Sequence, residues 1–291
     1  MTAVRSGAER AERGRLVRTH PVMGTVASAH VVGPPGSASP SGAGGGPLAV
    51  ERAIAACFAE LDELDRVFSP FRDDSAVSRI RRGELALEDA DARVVEVAER
   101  CLEAAEATRG RFSAAWRGGF DPTGYVKGWA VERAARRHLA PLLAPDGVAA
   151  VALGAGGDVQ ALTAPGAHWT WRIGIADPRD RSRVLAVVEL ADGAVATSGT
   201  AERGAHVVDP ATGRPAAGGL ASATVVADGL ATADAWATAA LVAGFADLFW
   251  IAEAPVRSGL LVHDSGAIRR WGGGVEVVSM GERDDPLAAV A

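Results

Sequence analysis

A carboxylate and a hydroxyl stand one helical turn apart in an otherwise uncharged part of the chain. Asp234 is the only charged residue of Gly229–Gly244, and Thr238 follows it four positions later. Residues with this spacing lie on the same face of an α-helix. Their oxygen atoms suit a hard cation such as Mg²⁺. The alternative is that Asp234 is a solvated first-turn residue that favours the helix dipole, and the spacing alone does not decide between the two.

The segment that carries this pair is predicted to be a buried helix. It is rich in Ala, contains no Pro, and ends at Gly244, which is placed as a C-terminal stop. A helix this apolar is buried on most sides, so its carboxylate needs a positive partner or a metal ion. No Lys or Arg occurs between Arg214 and Arg257. A cationic side chain for Asp234 must therefore come from another part of the fold.

The single lysine lies in a second informative stretch, Gly119–Arg137. A turn that contains Asp121 and Gly124 is predicted to lead into a helix from about Val126. Asp121 and Lys127 flank this helix entrance, where free N–H groups and the positive end of the helix dipole favour phosphate. The alternative interpretation is a glycine-containing turn with a solvated ion pair.

A third stretch, Ser198–Pro215, is rich in glycine and small hydroxyl residues, and it contains His206. With its arginines it could wrap an anionic ligand. The glycines of Gly154–Gly157 do not form a dinucleotide-binding fingerprint, because the residues from Asp158 onward are typical of a strand rather than of a helix. They predict a tight hairpin turn instead.

Composition limits the classes of function. The chain has 291 residues, 48% of them hydrophobic and 23% charged, with a net charge of −6. This charge argues against a general nucleic-acid surface. Cys57 and Cys101 are interpreted as buried thiols, and the six histidines show no zinc-binding pattern. Met1–Leu16 has no apolar signal region or lipid-accepting cysteine, so we expect a cytoplasmic protein without a membrane anchor.

The order of the elements predicts an α+β fold, because strands and helices mix without regular βαβ alternation. We expect a single domain over residues 18–280, with a largely antiparallel sheet flanked by helices. Residues 1–17 are expected to be disordered or loosely ordered, 33–47 a flexible loop, and 281–291 a tail. The predicted helices are Ala49–Val67, Asp91–Thr108, the one from Val126, Gly229–Gly244 and Ala246–Ala252. The predicted strands are Val22–Val32, Gly147–Leu153, Asp158–Leu162, Trp169–Ile175, Ser182–Leu190, Gly193–Thr197, Ser222–Ala227, Leu260–Val262 and Ile268–Trp271.

Taken together, these stretches resemble the ApbE family of FAD:protein FMN transferases, from about His20 to Trp271. The matching stretches, in the family's order, are Met23-Gly24-Thr25; Phe68-Ser69-Pro70-Phe71 with Ser75 and Ser78; Asp121 through Lys127-Gly128; Gly156-Gly157-Asp158; Thr197-Ser198-Gly199; His206-Val207-Val208-Asp209-Pro210 with Thr212-Gly213-Arg214-Pro215; and Ala233-Asp234-Ala235-Trp236 with Thr238.

The resemblance implies roles for particular residues. It implies that Asp234, Thr238 and a main-chain oxygen of Gly124 bind Mg²⁺, which favours the metal interpretation of Asp234. The residues that it implies contact FAD are Met23, Phe71, Phe112, Ser113, Asp121, Lys127 and Val208. In this group Ser113 replaces the aspartate of the family's pattern.

The resemblance also implies a reaction, the Mg²⁺-dependent transfer of the FMN half of FAD onto a Ser or Thr hydroxyl of an acceptor protein, with release of AMP. The partners would be FAD and an acceptor flavoprotein or FMN-binding domain. Asp234 would act through the metal, Lys127 could pair with Asp121, and His206 would take the proton of the acceptor hydroxyl. The alternatives are an FAD-binding or storage protein without transfer, and an Mg²⁺-dependent FAD pyrophosphatase that gives FMN and AMP.

Overall fold

The computed structural model describes residues 4–5, 13–35, 46–115, 119–144, 147–199, 207–216 and 218–276. Its helices are α1 (Gly46–Phe68), α2 (Ala76–Arg81), α3 (Ala92–Ala107), α4 (Thr123–Ala134) and α5 (Leu230–Ala243). Its strands are β1 (Val4–Arg5), β2 (Arg13–Val22), β3 (Thr25–Pro35), β4 (Ala150–Ala155), β5 (Asp158–Thr163), β6 (Trp171–Ala176), β7 (Val184–Leu190), β8 (Gly193–Gly199), β9 (Val208–Asp209), β10 (Arg214–Pro215), β11 (Leu220–Ala227), β12 (Ser258–His263), β13 (Ile268–Gly272) and β14 (Val275–Glu276).

Nine strands of the described chain form one antiparallel sheet, in the order β14-β13-β12-β11-β8-β5-β4-β3-β2. A smaller antiparallel sheet has the order β1-β6-β7, and β9 pairs with β10 as a short hairpin. The predicted α+β class with a largely antiparallel sheet is confirmed. The turn at Gly156 and Gly157 joins β4 to β5 as an antiparallel hairpin, as the glycine pattern predicts.

The two faces of the large sheet bury different layers, because successive side chains of a strand point to opposite faces. On β4, Val151 and Leu153 belong to the core shared with α1, α4 and α5. Ala150 and Ala152 belong instead to a second core, in which Trp171 of the small sheet is buried. The large sheet is therefore packed between a helical layer and the small sheet.

The first predicted strand is wrong in its extent, because a hairpin turn interrupts Val22–Val32. Met23 and Gly24 have φ values of 53° and 68°, and the strands on either side of them pair with each other. Two consecutive residues with positive φ form the tight turn whose twist suits a hairpin. This pairing extends β2 back to Arg13, inside the segment 1–17, and extends β3 to Pro35, inside the expected loop 33–47.

Two helices also differ from their predicted extent. α4 begins at Thr123 rather than near Val126, because the carbonyl of Pro122 accepts hydrogen bonds from the backbone N–H groups of Tyr125 and Val126. The predicted helix over 246–252 is only a short 3₁₀ segment, Phe249–Ala252. Residues 36–45 of the expected loop and the expected tail 281–291 lie outside the described residues. None of the helices in the described part of the chain is both long and apolar enough to span a bilayer.

Candidate functional site

A cavity of about 260 Å³ lies where the start of α4, one face of α5 and the ends of central strands of the large sheet meet. The sheet contributes the turn Gly156–Asp158 and the end of β8 at Thr197–Gly199. Residues that follow β6 and residues in and beside β9 also line the cavity. The cavity therefore collects segments from all three informative stretches of the sequence.

The close approach of α4 and α5 depends on Gly128. A Cβ atom at this position would lie 2.8 Å from the Leu230 carbonyl oxygen and 2.9 Å from Cβ of Asp234. The Gly128 backbone N–H donates a hydrogen bond to Oδ2 of Asp234 at 3.1 Å. Because the helices touch here, the side chain of the preceding residue, Lys127, is brought beside Asp234.

Lys127 is the cationic partner that the sequence of α5 lacks. Its Nζ pairs with Oδ2 of Asp158 and lies 3.4 Å from Oδ2 of Asp234. The expected pairing of Lys127 with Asp121 is wrong. Asp121 instead pairs with Arg81 of α2, and it accepts a hydrogen bond from the Thr123 hydroxyl at 2.7 Å. Because α4 already begins at Thr123, Lys127 is a full turn into the helix and reaches Asp158 at the start of β5.

Lys127, Asp158 and Asp234 together carry one net negative charge, because one ammonium pairs with two carboxylates. Asp158 is 2% exposed and Asp234 is 4% exposed. Each carboxylate is also held by a backbone donor, since Oδ1 of Asp158 accepts from the Thr197 N–H at 3.0 Å and Asp234 accepts from Gly128. A solvated Asp234 is excluded. Buried carboxylates in excess of their cationic partners provide an electrostatic environment that attracts a further cation.

The three residues expected to bind a metal line the same cavity. Asp234 and Thr238 face it from α5, and Gly124 faces it from the first turn of α4. The Thr238 hydroxyl lies 3.3 Å from the hydroxyl of Ser198 on β8. Within the described residues, no three Asp, Glu, His or Cys side chains converge on a metal-binding point. A cation here would depend on one carboxylate, hydroxyl oxygens and a backbone carbonyl.

The structure separates the residues expected to contact FAD into two groups. Those that line the cavity are Phe112, Ser113, Asp121, Lys127 and Val208. Met23 and Phe71 are not among the lining residues, although Thr25, two residues after Met23, is one of them. Phe71 is 94% exposed. His206, the expected proton acceptor, lies outside the described residues.

Close packing at the start of α4 explains why residue 124 is a glycine. A Cβ atom on Gly124 would lie 3.2 Å from Cε2 of Phe112, whose ring is buried beside that of Tyr125. The backbone of the first turn of α4 therefore lies directly against the cavity wall.

Asp158 is one of the charged residues lining the cavity to which the sequence alone gave no role, although it closes the matching stretch Gly156-Gly157-Asp158. The glycines before it indicated a hairpin, and its own carboxylate received no role. The available signal was an acid at the start of an apolar strand, which needs a partner when it is buried.

A cavity that joins a helix N-terminus, a lysine and an oxygen-rich cluster defines a class of site suited to a phosphorylated ligand together with a hard cation. The model of the ApbE family matches residues 23–121 and 117–260, so the chain belongs to the ApbE family.

Curated relatives are similar over part of the chain. An FAD:protein FMN transferase of Escherichia coli (strain K12) is 35% identical over 116 residues, which are 37% of this chain and 33% of that protein. An FAD:protein FMN transferase of Rhodobacter capsulatus is 38% identical over 153 residues, which are 50% of this chain and 28% of that protein. The chain thus matches about a third of the length of these relatives.

Solved structures show the same fold over most of the chain. The ApbE protein of Thermotoga maritima superposes with a TM-score of 0.72 at 24% identity, covering 88% of this chain and 96% of that one. The flavin transferase ApbE of Vibrio cholerae superposes with a TM-score of 0.68 at 20% identity, covering 89% and 97%. At these identities the likeness establishes the fold.

Proposed function

We propose that this protein transfers the FMN half of FAD onto a Ser or Thr hydroxyl of an acceptor protein in an Mg²⁺-dependent reaction and releases AMP. Membership of the ApbE family and relatives named FAD:protein FMN transferase support this proposal. The observation that carries it is the pair of buried carboxylates that share Lys127 beside the start of α4, within one cavity.

The donor set fits Mg²⁺, since a hard cation prefers oxygen ligands. Asp234, Thr238 and the Gly124 carbonyl would hold the ion. A backbone carbonyl oxygen has two lone pairs, so the Gly124 oxygen can bind a metal ion in addition to accepting a hydrogen bond within the helix. When bound, Mg²⁺ would neutralise negative charge on the diphosphate of FAD.

The side chains around the cavity would bind and orient FAD. The Lys127 ammonium and the positive end of the α4 helix dipole would attract the diphosphate. Asp121, held by Arg81, and the pair Phe112 and Ser113 would contact the bound molecule from the wall of the same cavity. Val208, Met23 and Phe71 complete the proposed FAD contacts.

The chemical step is a phosphoryl-type transfer. The acceptor hydroxyl oxygen bonds to the phosphorus of the FMN half, the phosphoanhydride P–O bond breaks, and AMP leaves with that bridging oxygen. The proton of the acceptor hydroxyl passes to a base, for which His206 is our proposed residue. Positioning and charge neutralisation supply most of the rate in such reactions.

One assay distinguishes transfer from the two alternatives. The protein is incubated with FAD, Mg²⁺ and a purified flavin-acceptor domain, then denatured and separated by electrophoresis and chromatography. Transfer predicts flavin fluorescence that stays with the acceptor and an equal amount of AMP. Free FMN with AMP would indicate a pyrophosphatase, and intact FAD would indicate binding alone. An acceptor with its target hydroxyl residue replaced by Ala, and a reaction with EDTA, are the matched controls.

A further inference from the structure

We propose that Asp158 is a positioning residue for the divalent cation, acting through Lys127. In this proposal, which rests on the metal site of the proposed function, Asp158 holds the Lys127 ammonium away from full pairing with Asp234. The carboxylate of Asp234 then remains available to the cation.

The contacts of Lys127 are unequal, and this inequality is the basis of the proposal. Its Nζ donates a hydrogen bond to Oδ2 of Asp158, whereas with Oδ2 of Asp234 it forms only an ion pair at 3.4 Å. Asp158 is fixed on β5 because its other oxygen accepts the Thr197 N–H and its side chain is 3% exposed. The lysine is therefore drawn toward the start of β5 and away from α5.

The net charge of the cluster also predicts that Asp158 favours cation binding. Asp158, Lys127 and Asp234 together carry one net negative charge, and neutralising Asp158 would remove it. The freed ammonium would then compete with the cation for Asp234, because an opposite charge within hydrogen-bond reach favours pairing. Both effects weaken cation binding.

The substitution Asp158→Asn separates this role from a structural one. Asn keeps an oxygen that can accept the Thr197 N–H, and it has nearly the same volume, so the backbone contact is preserved. The negative charge and the acceptor of the Lys127 hydrogen bond are lost together, because the amide NH2 takes the place of Oδ2. A purely structural role predicts that this variant binds Mg²⁺ as the wild type does.

The test is calorimetric titration with Mg²⁺, without and with saturating FAD, of the wild type, D158N, K127M and the double variant. Replacing a residue that orients a metal ligand without binding the metal itself typically lowers the metal affinity by about 10- to 100-fold. We expect D158N to bind Mg²⁺ about 10- to 100-fold more weakly than the wild type. The double variant restores the single net negative charge and removes the competing ammonium, so it should bind at least about tenfold more tightly than D158N.

The matched control is E60Q, which neutralises a carboxylate that is also buried and paired with cationic side chains but lies outside the cavity lining. It should bind Mg²⁺ as the wild type does. If D158N does not fold, K127M should still bind Mg²⁺ at least about tenfold more tightly than the double variant, since it carries the additional negative charge.

The outcomes separate this inference from the proposed function. Wild-type affinity in D158N, or a double variant no tighter than D158N, would overturn the role of Asp158 and leave the transferase proposal standing. A wild type that binds no Mg²⁺ in either titration would overturn both.

Discussion

Asp234 occupies a position where a carboxylate is costly unless it is compensated. It is 4% exposed in the Ala-rich helix α5, and its neighbours in that helix carry no charge. The compensation comes from the Gly128 N–H and the Lys127 ammonium, both on α4. A charged group retained in this way at the wall of a cavity is better explained by ligand binding than by stability, because buried ion pairs add little net stability.

Replacement of Asp234 tests this explanation. We expect D234A to remain folded and to lose Mg²⁺-dependent transfer, by at least about 10²- to 10³-fold in rate, because a charge-stabilising group is removed. The measurement is acceptor flavinylation, with circular dichroism as the check on folding.

The variant D234N separates charge from hydrogen bonding, because its amide oxygen can still accept the Gly128 N–H. It should lose activity as D234A does. D228N is the control, since the Asp228 side chain is 85% exposed and lies outside the cavity lining. Turnover at the wild-type level in D234N would contradict the metal assignment.

Burial suppresses the reactivity of both cysteine thiols. Burial, followed by the charge of Glu60, raises the pKa of Cys57 to about 12. Burial, followed by the charge of Asp121, raises the pKa of Cys101 to about 12. Both thiols are protonated at neutral pH, which agrees with their interpretation as buried thiols without a disulfide.

Thiol labelling checks this directly. We expect no reaction of native protein with a disulfide reagent at pH 8 over minutes, and two thiols per chain after unfolding in guanidinium. Rapid labelling of the native protein would show that the cores around α1 and α3 open readily.

At the scale of elements, the contact between α4 and α5 brings together residues far apart in the chain. Glycine at 128 permits this contact, and the Gly124 backbone is tight against Phe112 for a similar reason. The hairpin turn Gly156–Asp158 and the end of β8 then face the same point from the sheet. The site is built on two helices and the ends of central sheet strands, and such rigid elements position groups more accurately than loops do.

The substitution Gly128→Ala tests the helix contact. The added methyl group would lie 2.8 Å from the Leu230 carbonyl oxygen, so the helices must move apart. Overpacking of this kind typically costs about 1–3 kcal/mol in the free energy of unfolding. We expect a lower unfolding midpoint in urea and weaker Mg²⁺ binding, because Lys127 and Asp234 are displaced together.

The control for this experiment is Gly119→Ala, since a Cβ atom at Gly119 would meet nothing within 4 Å. It should unfold at the wild-type urea concentration or slightly above. Equal midpoints for the two variants would show that the helices accommodate the methyl group without cost.

At the scale of the whole molecule, the large sheet separates the helical layer from the small sheet, and His30 lies on the face toward the small sheet. It is 8% exposed, its Nδ1 lies 2.8 Å from a guanidinium nitrogen of Arg15, and its ring meets the edge of Trp171. Burial and the charge of Arg15 lower the pKa of His30 to about 4. The interface between the two sheets therefore depends on a neutral imidazole.

This gives a pH dependence with a definite sign. In the unfolded chain His30 has a pKa of about 6.5, so below this pH it takes up a proton that the folded protein does not bind. The free energy of unfolding therefore decreases as the pH falls from about 6.5 toward 4. The loss is up to about 3 kcal/mol, since each pH unit between the two pKa values is worth about 1.4 kcal/mol.

The variant His30→Gln should show a flatter dependence of the free energy of unfolding on pH between about 6.5 and 4. Urea titrations at several pH values provide the measurement, and values at pH 7.5 give each protein's reference stability. Parallel curves for the two proteins would contradict a buried neutral His30.

Much of the fold follows from local patterns. Apolar spacing predicts α1 and α3 to within a few residues, and the glycines before Asp158 predict the β4–β5 hairpin. The error at Met23 arose because a methionine with positive φ gives no turn signal, so one apolar run was interpreted as one strand. The late start predicted for α4 arose because a Pro122 cap supplies no side-chain capping pattern.

Local sequence was sufficient to indicate that Asp234 and Thr238 share a helix face and that α5 is buried, because both depend on helical periodicity and composition within one segment. It could not indicate that Asp234 forms an ion pair with Lys127, or that Lys127 donates its hydrogen bond to Asp158. Those partners lie on α4 and β5, and their distances depend on how closely two helices approach at one glycine and where one hairpin ends. Contacts between distant segments arise from packing, and packing is a property of the folded chain.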